Sequence, residues 1–208
     1  MANVYVGSGR AALVRELQEN DVTVLVGETG SGKTTRTSPK ASSLYSIILH
    51  YTEVPQYILE SGIAGKGMIA VTQPRKVAAT SLAARVAQEQ NVSVGDLVGY
   101  SVRFDEACSQ TTRIKYVTDG MLIRELLSDP LLSRYSVIVI DEAHERTLRT
   151  DLLLANLKTI QQTRNSYTGG KKGKEPVSKQ NPLKIVVMSA TLDAEKFSRF
   201  FGRWDILR

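Results

Sequence analysis

Six short runs rich in β-branched residues recur along the chain: VTVLV (22–26), MIAVT (68–72), VGYSV (98–102), IKYVT (114–118), VIVI (137–140) and KIVVMS (184–189). Between them lie RAALVRELQEN, KVAATSLAARVAQEQN, GMLIRELLSD and ERTLRTDLLLANLKTIQQ, whose apolar residues recur at helical spacing, as with Leu148, Leu152 and Leu153. Nearly continuous apolar strands alternating with amphipathic helices predict an α/β fold of three layers, a parallel β-sheet with helices on both faces. Residues 164–182, RNSYTGGKKGKEPVSKQNP, have no apolar period and are rich in Gly, Lys and Pro. They predict a solvated loop before the last strand, with lysines available to a polyanion or a localisation receptor.

Ligands of open parallel sheets bind beyond the carboxyl ends of the strands, so the residues following each run carry the chemistry. Directly behind VTVLV comes GETGSGKT, residues 27–34, which fits the phosphate-loop pattern G-x-x-x-x-G-K-[ST] in its required strand-to-helix context. The glycines permit a backbone path whose N–H groups point inward around phosphate oxygens. Gly27, Glu28, Thr29, Gly30, Ser31, Gly32, Lys33 and Thr34, with Thr35 behind them, are therefore the candidate nucleotide cradle. Lys33 would reach the β- and γ-phosphates and the Thr34 hydroxyl would ligate Mg²⁺.

SVIVIDEAH places Asp141 and Glu142 just after a buried strand. On the phosphate loop's edge of the sheet, Asp141 is the expected Mg²⁺ carboxylate and Glu142 the residue that orients and polarises an attacking water. Alone, such a pair is more often a helix start bearing favourable acids. The phosphate loop upstream favours the metal reading.

Composition narrows the class. The 208 residues, 42% of them hydrophobic, suffice for one ordinary domain. Lys and Arg number 27 against 21 Asp and Glu, and the net charge of +6 favours a polyanionic partner. A single Cys108 excludes an internal disulfide and suits a reducing compartment. No apolar segment follows a basic start, and no run approaches the roughly 18 apolar residues of a membrane span, so the expectation is a protein neither secreted nor membrane-bound. The Asn91-Val92-Ser93 triplet carries no glycosylation meaning without a secretory route.

GETGSGKT, TQPRKVAA, TDGML, DEAHERT and SAT, in this order, resemble the DEAH-box family of ATP-dependent RNA helicases across nearly the whole chain, and within it the nucleolar, ribosome-related branch. The resemblance implies a RecA-like P-loop NTPase domain spanning 1–208, the first of two, with ATP in the cleft between them. It implies ATP and Mg²⁺ as cofactors, RNA held by its backbone with little sequence preference, and a nuclear or nucleolar location. Lys33, Thr34, Asp141 and Glu142 match the family's ATP-site positions. Arg85 matches the position whose guanidinium stacks on adenine, its alternative being a solvent-facing helix arginine. Arg75 and Thr118 match RNA-backbone positions. His144, which joins the nucleotide-binding set, and Ser189 and Thr191 match positions that couple nucleotide state to RNA grip.

Two stretches depart from the family pattern. After SGKTT the family continues almost at once into VPQYILESG, which resumes here at Val54, so residues 36–53 read as an insertion. Pro39 would end or kink the phosphate-loop helix near Ser38, whereas Leu44, Ile47, Ile48 and Tyr51 could line an amphipathic helix. Phosphate binding is expected to be weakened, and a splicing or gene-model origin is the expected source, with a regulatory insertion as the other. The tail FSRFFGRWDILR reads as foreign to the family and as stopping before the second RecA-like domain. Three functions stay open: the first motor domain of an RNA helicase, weak or inactive by itself; another P-loop ATPase; and a non-catalytic remnant that binds RNA or partners.

Overall fold

The computed structural model describes residues 10–26, 52–166, 182–189, 200 and 206–207. In chain order they form α1 (Arg10–Glu19), β1 (Val22–Val26), α2 (Glu53–Glu60), β2 (Met68–Gln73), α3 (Lys76–Glu89), β3 (Val98–Val102), β4 (Asp105–Ala107), β5 (Ile114–Thr118), α4 (Asp119–Ser128), β6 (Tyr135–Ile140), a short 3₁₀ turn (Ala143–Glu145), α5 (Leu148–Ser166), β7 (Lys184–Ser189) and β8 (Ile206–Leu207). The described strands make one sheet in the order β4-β3-β5-β2-β6-β7-β1-β8. Every pairing is parallel except β3 with β4.

Period-two alternation divides the core. Val137 and Val139 of β6, with Val186 and Met188 of β7, pack with α1, α2 and α3 on one face of the sheet. Ile138 and Ile140, with Ile185 and Val187, pack with α4 and α5 on the other. All six β6 residues are buried, as a central parallel strand covered on both sides requires. The three-layer expectation is met.

Several details differ from the sequence reading. Leu148 and Leu152 are exposed, at 86% and 50%, while Leu153, Leu154, Leu157 and Ile160 are buried. A helix turns roughly 100° per residue, so the Leu153–Leu157–Ile160 stripe lies well around α5 from Leu148 and only it faces the sheet. Residues 164–166, expected in the loop, are instead the end of α5, where Arg164 is buried and its Nη1 donates to the carbonyls of Leu131 and Leu132 at 3.3 and 3.1 Å. Asn165 exchanges two hydrogen bonds with the Leu183 backbone, which joins the end of α5 to the residue before β7.

The strand β4 was not legible, since Asp105–Ala107 carries no alternation, and beside its pairing with β3 the backbone passes close to Gly99. A Cβ on Gly99 would sit 2.4 Å from the Ala107 carbonyl oxygen. In the tail, Ile206 and Leu207 pair in parallel with Val24 and Leu25. Thr52 and Glu53, the end of the expected insertion, begin α2, where Pro55 falls in the first turn and forfeits no intrahelical bond. Residues 36–51, with Pro39, Leu44, Ile47, Ile48 and Tyr51, and residues 167–181 lie outside the described residues. No described helix is long and apolar enough to cross a membrane.

Candidate functional site

Register brings the strand ends together. Val26 pairs with Ser189, Gln73 with Thr118, Thr72 with Ile140, and Ile140 with Val187. The segments that follow β1, β2, β5, β6 and β7 therefore open on one edge of the sheet, as the crossover topology requires. Gly27, Glu28, Thr29, Gly30, Ser31, Gly32, Lys33, Thr34 and Thr35 lie outside the described residues, as does Thr191. Ser189, the last residue of β7, is buried.

Asp141 is 6% exposed. Its Oδ2 accepts from Gln73 Nε2 at 2.5 Å and its Oδ1 from the Glu142 N–H at 2.8 Å. Burial pushes its pKa up to about 7, against the lowering effect of those two donors. A buried carboxylate at a strand end, with no Lys or Arg partner among the described residues, suits a hard cation that stands in for the lost water. Among the described residues no three His, Cys, Asp or Glu side chains gather into a metal cage. A single carboxylate nevertheless fits Mg²⁺, which keeps several waters and shares substrate phosphates rather than filling an all-protein cage.

The chain reverses sharply behind Asp141. Glu142 and Arg146 flank the 3₁₀ turn in the left-handed region, with φ of 51° and 47°. This turn directs the two carboxylates apart, Asp141 into the sheet edge and Glu142 toward His144, whose Nε2 is 3.2 Å from Glu142 Oε2. Left-handed non-glycine residues cost of order 1 kcal/mol or more each, and such positions concentrate at sites where geometry matters more than local stability.

The RNA-candidate residues adjoin this turn. Arg75 Nη2 pairs with Glu145 Oε1 at 3.0 Å, tying the segment after β2 to the segment after β6. Thr118 precedes α4 in extended conformation, and its side chain makes no cap hydrogen bond. Arg85 is not brought into the cluster. It lies nine residues into α3, about 14 Å along the helix from Lys76, 56% exposed and paired with Glu89 at 2.9 Å. Arg85 thus faces solvent, a position compatible with stacking on a base as well as with its alternative reading, on a face that Glu89 also ties to Gln56 of α2.

Three features escaped the sequence reading. Gln73 stands inside TQPRK yet received no role, although it holds the buried carboxylate. Glu145 is the partner of Arg75. The β3–β4 turn carries Arg103 and Phe104, the latter 91% exposed at φ 66° with the Arg103 guanidinium 4.7 Å from its ring centre. Lys76 Nζ reaches the Arg103 carbonyl at 3.5 Å, so this tip stands on the same edge. An exposed aromatic at a tight turn is the one signal that separates Phe104 from core phenylalanines, and exposure is not written in the sequence.

Residues 9–200 match the family model described as DEAD/DEAH box helicase. The chain belongs to that helicase family. Its relatives include ATP-dependent RNA helicase DHX33 of Mus musculus, 48% identical over 198 residues, covering 95% of this chain and 24% of that protein. Another is the probable ATP-dependent RNA helicase DHR2 of Saccharomyces cerevisiae, 50% identical over 193 residues, covering 92% of this chain and 22% of the relative. The pre-mRNA-splicing factor ATP-dependent RNA helicase DEAH10 of Arabidopsis thaliana is 43% identical over 223 residues, covering 95% and 29%. The helicase chain thus spans about a quarter of the length of the curated relatives it matches.

Proposed function

We propose that this chain is an ATP- and RNA-binding motor domain, the first of two RecA-like domains, of a DEAH-box RNA helicase. The observation that carries the reading is the joined strand-end cluster: a buried Asp141 fixed by Gln73, Glu142 turned outward beside His144, and Arg75 tied to Glu145 one strand away. Lys33, with the backbone of Gly27 to Thr35, would hold the phosphates, and the Thr34 hydroxyl with Asp141 would hold the Mg²⁺. When bound, that ion screens phosphate charge and fixes the γ-phosphoryl geometry.

The chain's own residues then do the following. Glu142 positions and polarises a water, and His144 holds the Glu142 carboxylate in place. Arg85 supplies a planar face for the base without reading its edges. Arg75, Thr118 and the Arg103–Phe104 tip grip RNA, the first two by its backbone and the tip by stacking, and Ser189 with Thr191 relays nucleotide state. Strand separation by the whole protein belongs to this proposal, with the second RecA-like domain completing the ATP cleft. The segment 36–53 behind Thr35 favours a second reading, in which the chain folds and binds RNA or partners without turning over ATP.

Salt dependence tests the RNA half. Arg75→Ala is expected to weaken single-stranded RNA binding about equally for different sequences, and to reduce the log–log salt slope by about 0.7, the share of one phosphate contact. Fluorescence anisotropy with two unrelated oligoribonucleotides at several salt concentrations reads both quantities. An unchanged affinity and slope would remove Arg75 from the RNA surface.

A further inference from the structure

The ends of β5 and β6 are tied together by a second, buried link. Asp119, the first residue of α4 and the neighbour of Thr118, is 3% exposed, and its Oδ2 accepts from Thr150 Oγ1 at 2.6 Å. Thr150 is 2% exposed and lies in the first turn of α5. Its backbone N–H donates to Thr147 Oγ1 at 3.1 Å, and the two hydroxyl oxygens are 2.7 Å apart. Because the Thr150 hydroxyl proton goes to Asp119, the Thr147 hydroxyl must donate to Thr150, giving a directed relay Thr147 to Thr150 to Asp119.

The relay begins six residues after Asp141, and the intervening chain is held at each joint. The 3₁₀ turn is closed by Glu145 N–H to the Glu142 carbonyl at 2.9 Å. Arg146 then grips Asp151 with two hydrogen bonds, at 2.7 and 3.0 Å. Arg149 also lies across the first turn of α4, where a Cβ on Gly120 would meet its Nη1 at 3.4 Å and its Cδ at 3.5 Å. The glycine leaves room for that crossing.

Fold stability alone is a poor account of the link. A buried carboxylate is costly, and the Oδ1 of Asp119 has no hydrogen-bond partner among the described residues. An apolar pair of the same shape would hold the two helix starts together at lower cost. The positive end of α4 explains why an acid is tolerated at its first residue, but not why that acid is joined to α5.

We propose that the Asp119–Thr150 hydrogen bond is the positioning contact through which nucleotide at the Asp141–Glu142 turn and RNA at Thr118 influence each other's binding. A shift of the turn moves Thr147 and Thr150, and with them the start of α4 and Thr118. The inference rests on the motor-domain reading, and Asp119, Thr147 and Thr150 contact neither ligand in it.

The test uses the whole chain, a fluorescein-labelled single-stranded oligoribonucleotide and the non-hydrolysable Mg·AMP-PNP. The readout is the ratio of RNA Kd without and with saturating nucleotide. In the unaltered chain that ratio is expected to differ from one by at least about five-fold, the lower end of ordinary allosteric coupling. Thr150→Val is expected to bring the ratio to about one while each ligand alone binds within about two-fold of normal, and Thr150→Ser to keep the ratio. Should Thr150→Val fail to fold by circular dichroism, Thr147→Val, at a less buried position, carries the same expectation of a reduced ratio. A folded Thr150→Val or Thr147→Val chain with the full ratio overturns the proposal, as does an unaltered chain that binds both ligands without influence of one on the other. An unaltered chain that binds neither RNA nor nucleotide refutes the motor-domain reading itself.

Discussion

Asp141→Asn is expected to lower the affinity for Mg·ATP by about 10²-fold or more, to the level seen for ATP in EDTA, without lowering the melting temperature of the ligand-free chain. The loss follows if Asp141, as proposed, holds the cation; truncating one partner of such a charged pair costs about 2–5 kcal/mol. The retained stability follows from the same burial. Asp141 is nearly closed off from solvent, and among the described residues two neutral donors reach its oxygens. An Asn can keep its oxygen on the Glu142 N–H and donate its amide to Gln73, whose own amide can turn over to accept.

The pH dependence has a definite sign. Burial raises the pKa of Asp141 in the folded chain to about 7 from 3.8. Between those values the folded state binds more protons than the unfolded one, so stability falls as pH rises through that window, by up to about 1.4 kcal/mol per pH unit. The contribution is full below the lower value and gone above the upper one. Asp141→Asn should flatten this slope in urea unfolding of the metal-free chain between pH 4 and 7. A variant that keeps the slope would assign the titration to another group, and one that binds Mg·ATP normally would show that Asp141 does not hold the cation.

Glu142→Gln is expected to separate binding from chemistry. Gln has the same size, tolerates the same left-handed backbone to a similar degree, and can still meet His144, so Mg·ATP affinity should stay within a few-fold. It cannot polarise or deprotonate a water as a carboxylate does, and loss of a positioned base typically costs about 10²–10⁴-fold in rate. Single-turnover hydrolysis of labelled ATP, with the chain in excess and RNA saturating, detects slow rates that steady-state assays miss. A Glu142→Gln rate within three-fold of the unaltered chain would assign the water to another residue.

The strands were legible because β-branched runs of five or six residues have few other uses, and their burial on both faces follows from the absence of polar alternation. The helices were legible as elements but not in rotation: α5 has leucines on more than one side, and only contact with β6 and β7 selects Leu153, Leu157 and Ile160 over Leu148 and Leu152. The acidic Asp105–Ala107 strand and the two-residue β8 carry no pattern of their own: β4 pairs with β3 and its Asp105 and Glu106 meet Tyr100 and Lys115, and β8 pairs with β1.

In the candidate site, residues announced by charge or motif were found at once, whereas those that orient them were not. Gln73 is a neutral amide 68 residues from Asp141 in sequence, and only the parallel register of β2 and β6 makes them neighbours. Asp119 and Thr150 meet for the same kind of reason, two helix starts set side by side by the sheet. Arg85 shows the opposite case, a motif residue on an exposed helix face whose neighbours do not announce a role.

The most direct test of the account is a titration of the chain with fluorescent ATP in Mg²⁺ and in EDTA, beside Lys33→Ala. The account predicts saturable one-site binding that weakens at least ten-fold in EDTA and is lost in Lys33→Ala. Binding that is absent in the unaltered chain, or that ignores both the chelator and the substitution, would contradict it.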